Sequence, residues 1–124
     1  MVQKVKEGIH NGVTFVQLRS EKEMDKKYWY EAGIAIKRVI DQYNAELSAR
    51  KGKESRITFV VNDHIDVALA IDADGAHVGQ KDLPVHLVRQ LLGEGKIVGL
   101  SVGNREELTA VDRTIVDYIG IGPA

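Results

Sequence analysis

Two aspartates carry the first chemical signal. Asp63 follows the apolar run Ile57 to Val61, and Asp82 closes the stretch after Ala76 to Gly79, each where a buried strand would give way to a loop. Alone, Asp63 is as well explained as a helix cap for Ile65 onward. Adjacent parallel strands, however, lie about 4.8 Å apart, so neighbouring loops can turn both carboxylates onto one ion. Two carboxylates completed by water and phosphate oxygens is a common way of binding magnesium.

Other strand ends add groups that suit an anionic ligand. Gln17 and Arg19 alternate and therefore share one face of their strand. Arginine forks onto phosphate, and glutamine bonds a heterocycle or a phosphate oxygen; the plainer alternative is a solvated arginine. Asn62 stands beside Asp63. Ser101 ends its strand with a hydroxyl and no adjacent base, so it is not read as a nucleophile. His77 is either a packed core residue or a ligand contact. Gly120 and Gly122 would let backbone approach a ligand closely. His10, His64 and His86 read as surface residues, and Tyr28, Trp29 and Tyr30 as an aromatic cluster packing one helix on a neighbour.

These groups need a frame. Val13 to Leu18, Ile57 to Val61, Ala76 to Gly79, Ile97 to Ser101 and Tyr118 to Ile121 read as short strands, mostly apolar, as expected of parallel strands covered on both faces. Helical patterns alternate with them over Met1 to Asn11, Lys26 to Leu47, Ile65 to Ile71, Pro84 to Leu92 and Arg105 to Val111. Asp82 with Pro84 signals one helix start, Gly93 its stop, and Asn104 caps the next. Lys51 to Ser55 reads as a polar connection. The fold class is α/β, a single domain over residues 1–124. Polar or glycine residues end all five strands, which is the habit of a (β/α) TIM-barrel rim. A doubly wound sheet gathers its site at one switch point behind a glycine-rich turn, and neither GxGxxG nor GxxxxGK[ST] occurs.

Bulk properties narrow the partners. A net charge of −1 creates no global field for nucleic acid or an anionic membrane, so an anion must be held locally. With no cysteine, disulfides, thiolate nucleophiles and cysteine-bound zinc are excluded. The first ten residues lack the apolar core of a signal peptide, and a cytoplasmic location is expected.

Five strings in order, Gly12-Val-Thr-Phe-Val-Gln-Leu-Arg19, Val61-Asn-Asp-His-Ile-Asp-Val-Ala-Leu69, Ala73-Asp-Gly-Ala-His-Val-Gly-Gln-Lys-Asp82, Ile97-Val-Gly-Leu-Ser101 and Asp117-Tyr-Ile-Gly-Ile-Gly-Pro123, resemble thiamine phosphate synthase. Ile71 to Val102 is most similar to the fungal enzymes, in which this barrel is fused to a hydroxyethylthiazole kinase. The resemblance implies a Mg²⁺-dependent transferase joining hydroxymethylpyrimidine diphosphate to a thiazole phosphate with release of pyrophosphate. It implies Gln17, Arg19 and Asn62 on the diphosphate substrate, Ser101 on the pyrimidine, and Asp63 and Asp82 on the metal. Arg19 and Ser101 are then the catalytic residues, with Lys22, His77 and Gly122 completing the substrate contacts. The family carries a lysine two residues after the arginine; here that place holds Glu21, with Lys22 one step on, which puts one phosphate contact in doubt.

Barrels of this type take about 200 residues at the least. Relative to the family pattern, the first strand, the loop after the sixth strand and the last two strands are not represented. The chain is therefore expected to be a partial barrel, either a piece of a longer product or one that covers itself as a homo-oligomer. Two other functions stay open: a related thiazole tautomerase, against which the aspartate pair argues, and a non-catalytic fragment binding diphosphate weakly.

Overall fold

A computed structural model describes residues 2–10, 14–19, 25–51 and 56–121. Helix α1 (Val2–His10) precedes strand β1 (Phe15–Leu18), and α2 (Lys26–Lys51) leads to β2 (Thr58–Asn62). Next come α3 (Ile65–Ala70), β3 (Gly75–Val78), α4 (Val85–Leu92), β4 (Ile97–Val102), α5 (Arg105–Thr109) and β5 (Tyr118–Ile121). All four strand pairings are parallel and the spatial order is β1-β2-β3-β4-β5. An unbroken sequential order is that of a singly wound barrel; a doubly wound sheet reverses direction at its switch point.

The sheet is curled. In a flat sheet β1 and β5 would stand about 19 Å apart, four inter-strand steps. Instead the rings of Phe15 and Tyr118, from those two strands, meet edge to face with centroids 5.4 Å apart. Strand register puts Phe15, Val60, Gly75, Ile97 and Tyr118 on the concave face together with Gln17, Asn62, His77 and Ser101. The convex face carries Leu18, Phe59, Val61, Ala76, Val78, Val98, Leu100 and Val102, all buried beneath the helices. The result is five strands of a partial (β/α) barrel.

Helix α2 covers β1 and β2 through Trp29, Gly33, Ile36 and Ile40, spaced so that they share one stripe. A Cβ on Gly33 would stand 2.7 Å from Ile71 Cδ1, so the helix seats closely because that position is bare. The expected aromatic cluster reduces to Trp29. Consecutive helical residues diverge by about 100°, leaving Tyr28 and Tyr30 exposed while Trp29 packs inward. The helix also runs past Leu47 to Lys51, through a polar stretch that holds neither proline nor glycine.

One cap read from sequence needs correction, and one alternative is removed. Helix α4 has Pro84 as its N-cap, with ψ 142°, and takes no side-chain cap, so Asp82 does not serve one. Helix α3 is preceded by His64, and Asp63 does not cap it. Both aspartates are thereby left for other partners. Asn104 does cap α5, accepting from Glu107 N at 2.8 Å, and Gly93 ends α4 at φ 95°.

The strand N-terminal ends are fastened by a repeated device. Asp74, just before β3, accepts from Phe59 N at 2.7 Å through its side chain while its own N–H donates to Phe59 O. Asp117, just before β5, does the same to Val98, at 2.8 Å for both bonds. Each aspartate also pairs with an arginine, Asp74 with Arg56 and Asp117 with Arg89. This end holds the fold, and the opposite end is free to carry function.

Gly75 marks the closest approach of β3 and β4. A Cβ there would fall 2.0 Å from Ile97 O, a backbone atom that cannot yield without parting the strands. Gly75→Ala is expected to destabilise the chain by about 2 kcal/mol, in the range of core overpacking. Urea unfolding checks it; a loss under about 0.5 kcal/mol, the size of an ordinary surface change, would show the strands adjust freely.

Candidate active site

The C-terminal ends of the five strands enclose a cleft of about 620 Å³. Gln17 and Arg19 reach it from β1, Asn62 and Asp63 from the end of β2, His77 from β3, Ser101 from β4 and Gly120 from β5. Gly79, Gln80 and Lys81 line it from the loop after β3, and Glu107 from α5. Each sits at or just past a strand end, where ladder bonding stops and side chains point over the rim.

Asp63 is placed by an uncommon backbone. Its φ is 68°, in the left-handed region that aspartate tolerates better than most residues. Its N–H donates to His77 O at 2.9 Å, and His64 N closes a tight turn onto Asn62 O at 2.8 Å. The turn directs the carboxyl of Asp63 toward that of Asp82, within hydrogen-bonding reach. Asp82 is itself oriented by accepting from Gly79 N at 2.7 Å.

The consequence is electrostatic. The Asp63 carboxyl is pushed up to about 6, first by partial burial at the rim, then by the hydrogen bond and negative charge of Asp82; the Arg19 charge works against this. Without a cation the Asp63 carboxyl therefore holds its proton to a higher pH than a free aspartate does. Among the described residues no three His, Cys, Asp or Glu side chains gather closely enough to hold a metal ion by themselves.

Gln17 Nε2 donates to Asn62 Oδ1 at 2.7 Å. Gln17 lines the cleft with an amide that also carries a carbonyl acceptor and a second N–H donor. His77 is packed and at the site together: it is 7% exposed, yet its ring lines the cleft floor. His77 Nε2 lies 2.7 Å from Ser101 Oγ and Nδ1 lies 2.9 Å from the Tyr118 hydroxyl. Burial first, and the Arg19 charge second, hold the imidazole below its usual value despite the opposing Asp82 charge. Burial likewise pushes the Tyr118 phenol up to about 12, so it stays protonated.

The profile described as thiamine monophosphate synthase matches residues 1–124. The chain belongs to that family. It is 41% identical over 120 residues to the thiamine-phosphate synthase of Clostridium botulinum, covering 97% of this chain and 50% of that protein. It is 44% identical over 119 residues to the thiamine-phosphate synthase of Methanosarcina barkeri, covering 96% and 48%. The thiamine biosynthetic bifunctional enzyme of Saccharomyces cerevisiae is 41% identical over 125 residues, covering 98% of this chain and 21% of that one. Among solved structures, the thiamine phosphate pyrophosphorylase of Pyrococcus furiosus superposes with a TM-score of 0.79 at 30% identity, over 98% of this chain and 53% of its own. The chain thus spans about half the length of the bacterial and archaeal family members it matches.

Of the family residues expected from sequence, Gln17, Arg19, Asn62, Asp63, His77 and Ser101 share one cleft, with Asp82 facing Asp63 from beside it. Lys22, Glu21 and Gly122 lie outside the described residues. Tyr118 and Gln80 were not foreseen. Gln80 Nε2 donates to Ser101 O at 3.0 Å, and Tyr118 holds the far side of His77. Strand alternation already placed Tyr118 on the same face as Gly120, and that signal would have found it. His64 is not the free surface residue expected: its ring meets Trp29 edge to face at 4.4 Å, because the turn at Asp63 folds it back over α2.

Proposed function

We propose that this chain forms the metal- and diphosphate-binding part of a Mg²⁺-dependent thiamine phosphate synthase of the cytoplasm. Its substrates are hydroxymethylpyrimidine diphosphate and hydroxyethylthiazole phosphate, and its products thiamine phosphate and pyrophosphate. The observation carrying this reading is the pair Asp63 and Asp82, whose carboxyls face each other beside the cleft that Arg19 lines. Two oxygen donors without histidine or cysteine ligands suit a hard cation that keeps water and phosphate oxygens, as magnesium does, better than zinc. When bound there, magnesium supplies positive charge to the leaving pyrophosphate.

The residues present fit a dissociative substitution. The bond from the pyrimidine methylene to the diphosphate oxygen breaks, leaving a benzylic-type cation; the thiazole nitrogen then donates its lone pair to form the new C–N bond. No nucleophile or strong base is required. Arg19 holds the departing phosphates and takes up charge that grows as they leave. The Gln17 amide and the Ser101 hydroxyl orient the pyrimidine, with Asn62 setting Gln17. Association as a homo-oligomer is one way in which the edges of β1 and β5, each with one strand neighbour among the described residues, would be covered.

Calorimetry tests the reading. The pyrimidine diphosphate is expected to bind with Mg²⁺ present and at least about tenfold more weakly in a chelator, the factor that 1.4 kcal/mol of lost charge stabilisation produces. Equal affinity in both buffers would remove the metal role, and no binding in either would remove the substrate.

A further inference from the structure

Ser101 meets the cleft with a hydroxyl able to donate or accept, and two rings behind it decide which. A neutral imidazole carries one N–H, so the chain Tyr118–His77–Ser101 has two polarities. In one, Tyr118 donates to Nδ1, Nε2–H donates to Ser101 Oγ, and the serine proton is left for a ligand. In the other, Nδ1–H donates to the tyrosine oxygen and Ser101 donates to Nε2. The tyrosine proton then needs a further acceptor, and among the described residues the Tyr118 hydroxyl has no hydrogen-bond partner except His77. An unmet donor costs more than an unfilled lone pair. A phenol is also a stronger acid than an aliphatic alcohol, hence the better donor to an imidazole nitrogen.

We propose that Tyr118 is a positioning residue which, through His77, fixes the Nε2–H tautomer and presents the Ser101 hydroxyl to the cleft as a donor. The ligand must then offer an acceptor there, of the kind an unprotonated heterocycle nitrogen provides. The surroundings are built for this chain. A Cβ on Gly99 would fall 2.2 Å from the Tyr118 ring, and one on Gly120 would fall 3.3 Å from His77 Cε1, so both glycines make room for the ring pair. Phe15 meets the Tyr118 ring edge on, and Gln80 holds the Ser101 carbonyl. The burial that keeps His77 neutral agrees with a single N–H on the ring. The identity of the ligand rests on the transferase reading; the polarity of the chain does not.

The test is ¹⁵N NMR of the ligand-free chain labelled at histidine, with His77→Gln assigning the His77 ring. The wild type is expected to show Nε2 protonated and Nδ1 bare, in a tautomer ratio of at least about 10:1, the weight of one hydrogen bond. Tyr118→Phe, folded by its backbone spectrum, is expected to bring the ratio near 1:1. Ser101→Ala is expected to leave it as in the wild type, because Tyr118 and not Ser101 sets it. An Nδ1–H ring in the wild type, an unchanged ratio in Tyr118→Phe, or a reversal in Ser101→Ala would each overturn the proposal. A wild-type ring as expected in a chain that fails to bind pyrimidine diphosphate supports the polarity and sinks the transferase reading alone.

Discussion

On the transferase reading proposed above, Asp63→Asn is expected to lower pyrophosphate release about 10²–10³-fold at saturating Mg²⁺, the usual effect of removing one preorganised charge-stabilising group, and at the same time to stabilise the cation-free chain. The two effects share one cause. The turn at Asp63 holds its carboxyl against Asp82, which raises it to about 6 from an ordinary 3.8. A raised carboxyl binds more protons folded than unfolded, so its contribution to stability falls as pH rises from 3.8 to 6 and the full penalty stands above 6. At face value the shift corresponds to about 3 kcal/mol, but the residue is exposed and solvent screening reduces this to about 1 kcal/mol.

Asparagine removes the charge and keeps the backbone, since it tolerates the left-handed region as well as aspartate does. The variant should therefore melt about 4 °C higher than the wild type at pH 7.5 without cation. The two melting curves should converge near pH 4, and added Mg²⁺ should restore the wild-type advantage. Turnover within tenfold of wild type would take Asp63 out of the metal site. A cation-free variant less stable than wild type at neutral pH would show that the two carboxyls do not repel.

Arg89→Met is expected to cost about 2 kcal/mol of stability, because the largely buried guanidinium loses its bonds to three carbonyls while its pairing with the half-exposed Asp117 is screened by solvent. The Arg89 side chain is 11% exposed and joins three segments. One guanidinium nitrogen donates to Gly93 O and Lys96 O at the end of α4 and before β4; the other donates to Ile115 O at 2.7 Å and to Asp117 Oδ2 at 2.8 Å. Methionine preserves much of the volume and none of these bonds. Burial by itself would raise the Asp117 carboxyl, but the Val98 N–H and the Arg89 guanidinium outweigh it and hold the group below its usual value. A lowered carboxyl stabilises above the unfolded value of 3.8, and that contribution is lost as pH falls through the folded one. Denaturant titration at pH 7 and at successively lower pH should show the gap between variant and wild type narrowing in acid. A gap under about 1 kcal/mol at pH 7 would reduce Arg89 to an ordinary surface ion pair.

Much of this was legible along the chain. All five strands and five helices lie where apolar runs and 3.6-residue patterns place them, shifted by one or two residues at most ends and by four at the end of α2. Alternation within β1 put Gln17 and Arg19 on one face, because side-chain direction has a period of two whatever the partner strand; that Asn62, His77 and Ser101 share the face of Gln17 came from the register. The polar ends of every strand located the rim, since a strand buried on both faces cannot carry such groups until it leaves the sheet.

What needed the tertiary structure was every relation between strands. The sequence allowed Asp63 and Asp82 to be helix caps or a facing pair. Only the turn at φ 68° and the parallel register of β2 on β3 turned them toward each other and away from α3 and α4. His77 was legible as core or contact but not as both, because its two hydrogen-bond partners come from β4 and β5, 24 and 41 residues away. The closeness of Phe15 to Tyr118, which shows the curl, depends on twist accumulated over four strand pairings and is written in no local pattern. Residue type and spacing determine which groups can act and on which face they lie. Distances between groups on different strands, and hence which charges and hydrogen-bonding groups meet, are set by register and curvature, which local sequence does not encode.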